Sequence, residues 1–182
     1  MSVRKKISVY ANSQGLIMIS TRTRYLLIAA TILSGLLAGV NVDRMIVAMP
    51  AWEQVGAQSW AEFSQHADLG NGLFLYPFEA ICAFLLTLAA IVSLFFDRAS
   101  AISHVALPLY GAVLLAAGGL LCTVKAAPSM LSIRYLGDPA ALQQALDGFN
   151  FWGDIRGVFQ VLAFLTTVWA LAGPSGRRYE RR

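Results

Sequence analysis

Ten polar side chains gather where apolar runs begin or end: Asn41, Asp43 and Arg44; Tyr76 and Glu79; Lys125; Asn150, Asp154, Arg156 and Gln160. Asp43, Glu79 and Asp154 balance Arg44, Lys125 and Arg156, so the set is close to neutral. Arg156 and Lys125 suit an anionic or phenolate oxygen, because a guanidinium presents a rigid fork of donors and an ammonium acts as a point charge. Glu79, or His66 from the segment before it, suits proton movement. Tyr76 and Trp152 offer faces on which an aromatic ring stacks. Asn41, Arg44, Asp154 and Gln160 complete the donors and acceptors. The pattern points to an outward-facing polar pocket for a small hydrophobic or aromatic ligand. The plainer alternative is an ion-pair network that only fixes helix register.

Glu79 stands at the centre of this pattern. It is the single charge in the 27 residues 70–96, GNGLFLYPFEAICAFLLTLAAIVSLFF. A hydrocarbon core ~30 Å thick is crossed by about 20 apolar helical residues. The run therefore predicts a membrane helix with an acid inside it, which costs on the order of a few kcal/mol unless the acid is paired, protonated or facing a cavity. Two roles stay open for Glu79: a proton acceptor, or an ion-pair partner of Arg156 or Lys125. Glu79, Ala83, Leu86, Ala90 and Ser93 share a helical stripe expected to face other helices, and Pro77 falls in the first turns, where it is tolerated or kinks the helix.

The elements that must position these groups follow from composition. The chain has 182 residues, 57% hydrophobic and 13% charged, against about 45–50% and about 25% in soluble domains. The predicted fold is all-α: an integral membrane four-helix bundle with two short outer-loop helices and both termini cytoplasmic. Residues 1–24 form a basic tail, 25–172 the transmembrane domain and 173–182 a second basic tail. Met18, ahead of ISTRTRYLL, is a second candidate for the start of translation.

Residues 25–42 are free of charge and have a basic flank, as in a signal peptide. No A-x-A site follows and the run is long, so it reads as an uncleaved first helix. Gly35 and Gly39 make a G-x-x-x-G on it, beside a face of Thr31, Ser34, Ala38 and Asn41. In the outer loop 50–69, Ser59-Trp60-Ala61-Glu62 fits a capping box, predicting a short helix with Trp60, Phe63 and Ala67 on one side at the membrane surface. The third helix spans about 105–124, with Pro108, Gly111, Leu115, Gly118, Cys122 and Lys125 on one face. Asp138-Pro139 starts a second short helix over 140–147, closed by Gly148. The fourth helix begins near Phe149, with Arg156, Gln160, Ala163 and Thr167 on one face.

The charges orient the bundle. Ten of the 14 Lys and Arg fall in the segments read as inner, and eight of the ten acids in those read as outer. The protein is therefore expected in the cell membrane, multi-pass. The net charge of +4 sits at the chain ends, which suits anionic lipid and excludes a nucleic-acid module. Cys82 and Cys122 lie in apolar runs and read as inert buried thiols. His66 and His104 fall on opposite sides of the membrane, which excludes a bis-histidine haem. His66 with Glu62, Asp68 or Glu79 falls short of a metal ligand set. No metal or other cofactor is expected. The Gly/Ala-rich helix faces leave a homo-oligomer open.

The stretches NVDRMIVAMPAW, WAEFSQHADLGNGLFLYPFEA and FNFWGDIRGVFQ resemble the anthrone-oxygenase-like family of four-helix membrane proteins. The resemblance spans about residues 25–172. Its pattern is a Pro-containing end of helix one, a Gln- or His-bearing outer helix and an aromatic-polar-Arg entry to helix four, matched here by Pro50, Gln65, Trp152 and Arg156. Gly153 and Asp154 stand where many relatives place an Asn near the Trp. Most of the family has unknown function, and some fungal members oxidise anthrones to anthraquinones with no established metal or flavin. The resemblance thus implies an oxygenase-like activity on an aromatic substrate. The alternative is a structural or accessory membrane subunit without catalysis.

Overall fold

The computed structural model describes residues 19–96 and 102–173, all helix except for short connections. The two basic tails and the predicted turn at 97–100 fall mostly or wholly outside these residues. α1 spans Thr21–Asp43. A π-helical turn, Arg44–Ala48, joins it to α2, Met49–Val55. α3 is Ala57–His66, and a second π turn, Ala67–Asn71, leads into α4, Gly72–Phe96. α5 is Ile102–Ser132 and α6 is Pro139–Ala172.

Among the described residues, four stretches are long and apolar enough to cross a membrane: Thr21–Val55, Ala57–Phe96, Val105–Ser132 and Pro139–Ala172. They form a ring in which α1 packs on α4 and α6, and α5 packs on α4 and, most extensively, on α6. Each neighbour runs antiparallel to the next, the up-down arrangement that short connections impose. The result is an all-α, four-helix membrane-spanning bundle.

Local chemistry starts the helices. Ser20 caps α1, its Oγ accepting the Thr23 amide at 3.2 Å. Asp138 caps α6, Oδ2 accepting the Ala141 amide at 3.0 Å, with Pro139 in the first turn. Inward positions are small: Ala30, Ser34 and Ala38 on α1, Ala80, Ala83 and Ala90 on α4, Ala163 and Ala170 on α6. Two aromatic rings of α6 use glycines of its neighbours. A Cβ on Gly35 would stand 2.9 Å from the Phe164 ring, and one on Gly118 2.9 Å from Phe159. Close packing of this kind drives association where lipid is as apolar as the core. Outward positions are large and apolar, among them Ile32, Leu36, Phe74, Phe78, Leu85 and Leu114. Gly39 of the G-x-x-x-G is exposed with nothing near it, while Gly35 is spent inside the bundle.

Several sequence expectations are revised. The second short helix, 140–147, does not exist by itself: α6 runs unbroken from Pro139 through Gly148 and Gly153. Gly148 ends nothing because its missing Cβ lets the Ser129 hydroxyl of α5 approach, 2.9 Å from where that atom would be. The capping box at Ser59 is not formed, since α3 already starts at Ala57, after Gly56. Gly56 breaks the chain between α2 and α3 with φ 105°, open to glycine and strained for other residues. α5 extends to Ser132, past Val124, with Pro128 inside it. The predicted loop at 50–69 is almost wholly helical.

Candidate functional site

Two π turns deliver the first pair of charges. In the first, the Met49 amide bonds the Arg44 carbonyl; in the second, the Gly72 amide bonds that of Ala67. Each is an i→i+5 closure, and Gly70 leaves helical geometry altogether (φ −85°, ψ −119°). The extra residue in each turn re-aims the side chains beside it, as single π turns do at many functional sites. Arg44 from the first and Asp68 from the second form an ion pair, both side chains largely buried. Tyr76, on the first turns of α4, lies under the guanidinium, 4.7 Å from it to the ring centroid.

α6 brings the second guanidinium. Arg156 Nε donates to Asn41 Oδ1 at 3.1 Å, and Asn41 Nδ2 donates to the Leu37 carbonyl at 2.8 Å. Both ends of the buried Asn41 amide are thereby used. The Nη groups of Arg156 make no hydrogen bond among the described residues, and no carboxylate pairs with it there. Phe149, two turns earlier on α6, lies beside both cations, 5.8 Å from each guanidinium carbon to the ring centroid. One carboxylate thus faces two guanidinium groups around an aromatic ring. The cluster carries one positive charge in excess.

Gln160, one turn beyond Arg156, is buried, and its Oε1 has no hydrogen-bond partner. It lines a cavity of about 20 Å³ at the bundle centre with Ser34, Leu37, Ala83 and Ala163. At the α2/α3 end the site is covered by an apolar layer in which Met49, Trp60, Ile133, Leu146 and Phe149 are buried together. Trp152 packs against this layer, its ring edge-on to Phe151 at 5.3 Å.

The structure brings together Asn41, Arg44, Tyr76 and Arg156, with Gln160 directly below. It does not gather all the predicted residues. Lys125 and Asp154 are exposed on the bundle surface, and His66 is exposed at the end of α3. Glu79 is half-buried and makes neither an ion pair nor a hydrogen bond among the described residues, so the expected pair with Arg156 or Lys125 is not formed. The polar residues make a bonded cluster under a packed layer rather than a wide pocket. Asn150 belongs outside it, donating to Glu53 Oε1 of α2 at 2.7 Å. Gln65 donates to the Ile133 carbonyl at 3.2 Å and joins α3 to the end of α5.

Compared with known proteins, the chain matches no family model, no curated protein and no solved structure.

Asp68 and Phe149 were not among the predicted site residues. Asp68 had a readable signal: an acid just ahead of an apolar run, as Arg44 is a cation just after one. Their pairing required the two π turns, which no residue pattern announces. Phe149 reads in the sequence as one aromatic among several in GFNFWGD. Among the described residues, no three His, Cys, Asp or Glu side chains come close enough to hold a metal ion.

Proposed function

We propose that this membrane protein binds a small hydrophobic or aromatic ligand through an anionic or phenolic oxygen held by Arg156. One observation carries the reading: Arg156 is fixed by a neutral amide, with its Nη donors unspent and no carboxylate of its own. A cation held so at membrane depth is costly without an anion, and an intramembrane charge is a functional candidate for that reason. Phe149 supplies a ring face beside it, and Tyr76 one beside the neighbouring Arg44. The resemblance to the anthrone-oxygenase-like family adds a reaction to this reading. An anthrone-type substrate would rest its enolate oxygen on Arg156, give up a proton to Glu79, one turn along α4 from Tyr76, and react with dioxygen to the quinone and water. Both termini are cytoplasmic in this proposal, which puts the site near the outer face.

A second reading is favoured by the contacts themselves. Asn41–Arg156, Arg44–Asp68 and Asn150–Glu53 each join two different elements. In that reading they set helix register in a structural or accessory subunit, and nothing binds.

Titration of the lipid-reconstituted protein with 1,8-dihydroxyanthraquinone, followed by the dye's fluorescence, separates the two. Saturable binding that weakens about tenfold or more in Arg156→Gln supports the ligand site, the size expected for a charge-assisted hydrogen bond. Absence of binding, or equal affinity in the variant, overturns it and leaves the register role.

A further inference from the structure

A further cavity lies at the other end of the bundle. It is a groove of about 560 Å³ between the first turns of α1 and the last turns of α4, lined by Arg22, Tyr25, Leu26, Ala29, Val92 and Phe96 among others. The volume falls within the range of about 300–1,000 Å³ usual for small-molecule sites. Its floor is closed by a hydrogen bond between the two helices, Thr23 Oγ1 to Ser93 Oγ at 2.7 Å. From Arg22 to Ala29 on α1 the groove runs about 10 Å along the helix axis at ~1.5 Å per residue. Apart from Ser93, whose hydroxyl is engaged by Thr23, the lining other than Arg22 is aliphatic or aromatic, and a cation stands at the mouth.

The level of that mouth is given by aromatic side chains. Tyr25, Phe95 and Phe96 are strongly exposed, at 69%, 63% and 80%, and Phe95 meets Tyr110 of α5 edge-on at 6.3 Å. Tyrosines gather at the headgroup level of a bilayer, where an amphipathic ring has both of its solvents. Arg22, on the turn before Tyr25, therefore reaches the phosphate plane. It forms no ion pair among the described residues. A cation over an apolar groove that descends into the hydrocarbon is complementary to one molecule class: a lipid with a negative headgroup.

We propose that this groove is a binding site for a single anionic phospholipid, one acyl chain lying between Tyr25, Ala29 and Val92 and the phosphate resting on Arg22. The site is separate from the Arg156 cluster and does not depend on it. The chain length held there is short, so the headgroup charge decides the preference and the groove decides retention.

The full chain, purified in detergent and mixed with equal amounts of palmitoyl-oleoyl phosphatidylglycerol and phosphatidylcholine, is examined by native mass spectrometry. Phosphatidylglycerol should be retained over phosphatidylcholine by about fivefold, the effect of one cation at an anionic surface. Arg22→Gln should make the two lipids equal, while Arg24→Gln, exposed and absent from the groove lining, should keep the preference. Ala29→Phe fills the groove from an exposed position and should lower retention of both lipids. The proposal is overturned if Arg22→Gln keeps the preference, if Arg24→Gln abolishes it equally, or if Ala29→Phe leaves retention unchanged.

Discussion

Phe149 holds two guanidinium groups 5.8 Å from its ring, and only one of them has a carboxylate. The ring face is electron-rich and attracts each cation by up to ~2 kcal/mol when water is excluded. The asymmetry between them has a direct consequence for stability. Asp68→Ala strands Arg44 with no counter-charge in a largely dry setting, and breaking such a pair costs on the order of 3–5 kcal/mol. Arg44→Met together with Asp68→Leu removes both charges and fills similar space, so most of that loss should return. Chemical unfolding in detergent measures both variants. A single variant as stable as the double would mean that the pair is open to water and contributes little.

At the scale of the elements, the bundle depends on glycines that receive rings and on turns that carry one residue too many. Phe164 of α6 lies against Gly35 of α1 so closely that an added methyl would stand 2.9 Å from the ring. An aromatic ring in a packed interface cannot retreat as a methionine tail can. Gly35→Ala should therefore destabilise the protein by roughly 1–3 kcal/mol, the usual cost of overpacking. Phe164→Leu added to it should recover part of that loss, measured as the thermal midpoint in detergent. If Gly35→Ala alone raises the midpoint, the α1–α6 contact is looser than the geometry says and helix propensity has won. Gly157 differs: a Cβ there meets the flexible Met45 side chain before anything rigid, so the neighbour can yield.

For the whole molecule, an apolar exterior around a small-residue interior is the inverse of a water-soluble bundle, and it assigns the outer surface to lipid. Among the described residues, buried polar side chains bond either across helices, as Arg156 to Asn41, or back to their own helix, as Thr87 and Thr167 do, while Gln160 Oε1 and Ser64 Oγ have no partner. Across the molecule lies a second asymmetry, in which acids concentrate at the α2/α3 end and basic residues at the chain ends. Attraction of Lys and Arg to the cytoplasmic side sets the expected outcome: a fluorescent protein fused after Arg182 should fold and fluoresce, and a periplasmic or extracellular reporter fused there should stay inactive. The reverse result would invert the bundle and place the Arg156 cluster near the inner face.

What the sequence determined by itself was the class of fold and the location of polar chemistry along the chain. Four long apolar runs allow little except membrane helices, because backbone amides in hydrocarbon must bond within their own segment. Asp138-Pro139 marked a helix start that the structure contains, since a cap acts within one turn. Asn41, Arg44, Tyr76 and Arg156 were legible as site candidates because polar residues at the edge of apolar runs need partners. Their partners were a tertiary decision. The pairing of Arg44 with Asp68, the seat of Phe149 beside two cations and the isolation of Glu79 depend on how far each helix is rotated. That rotation is set by rings against glycines and by two π turns, neither of which leaves a period in the sequence. The continuity of α6 through Gly148 was hidden for the same reason: a glycine before an apolar run reads as a stop until a neighbouring helix is there to need the space.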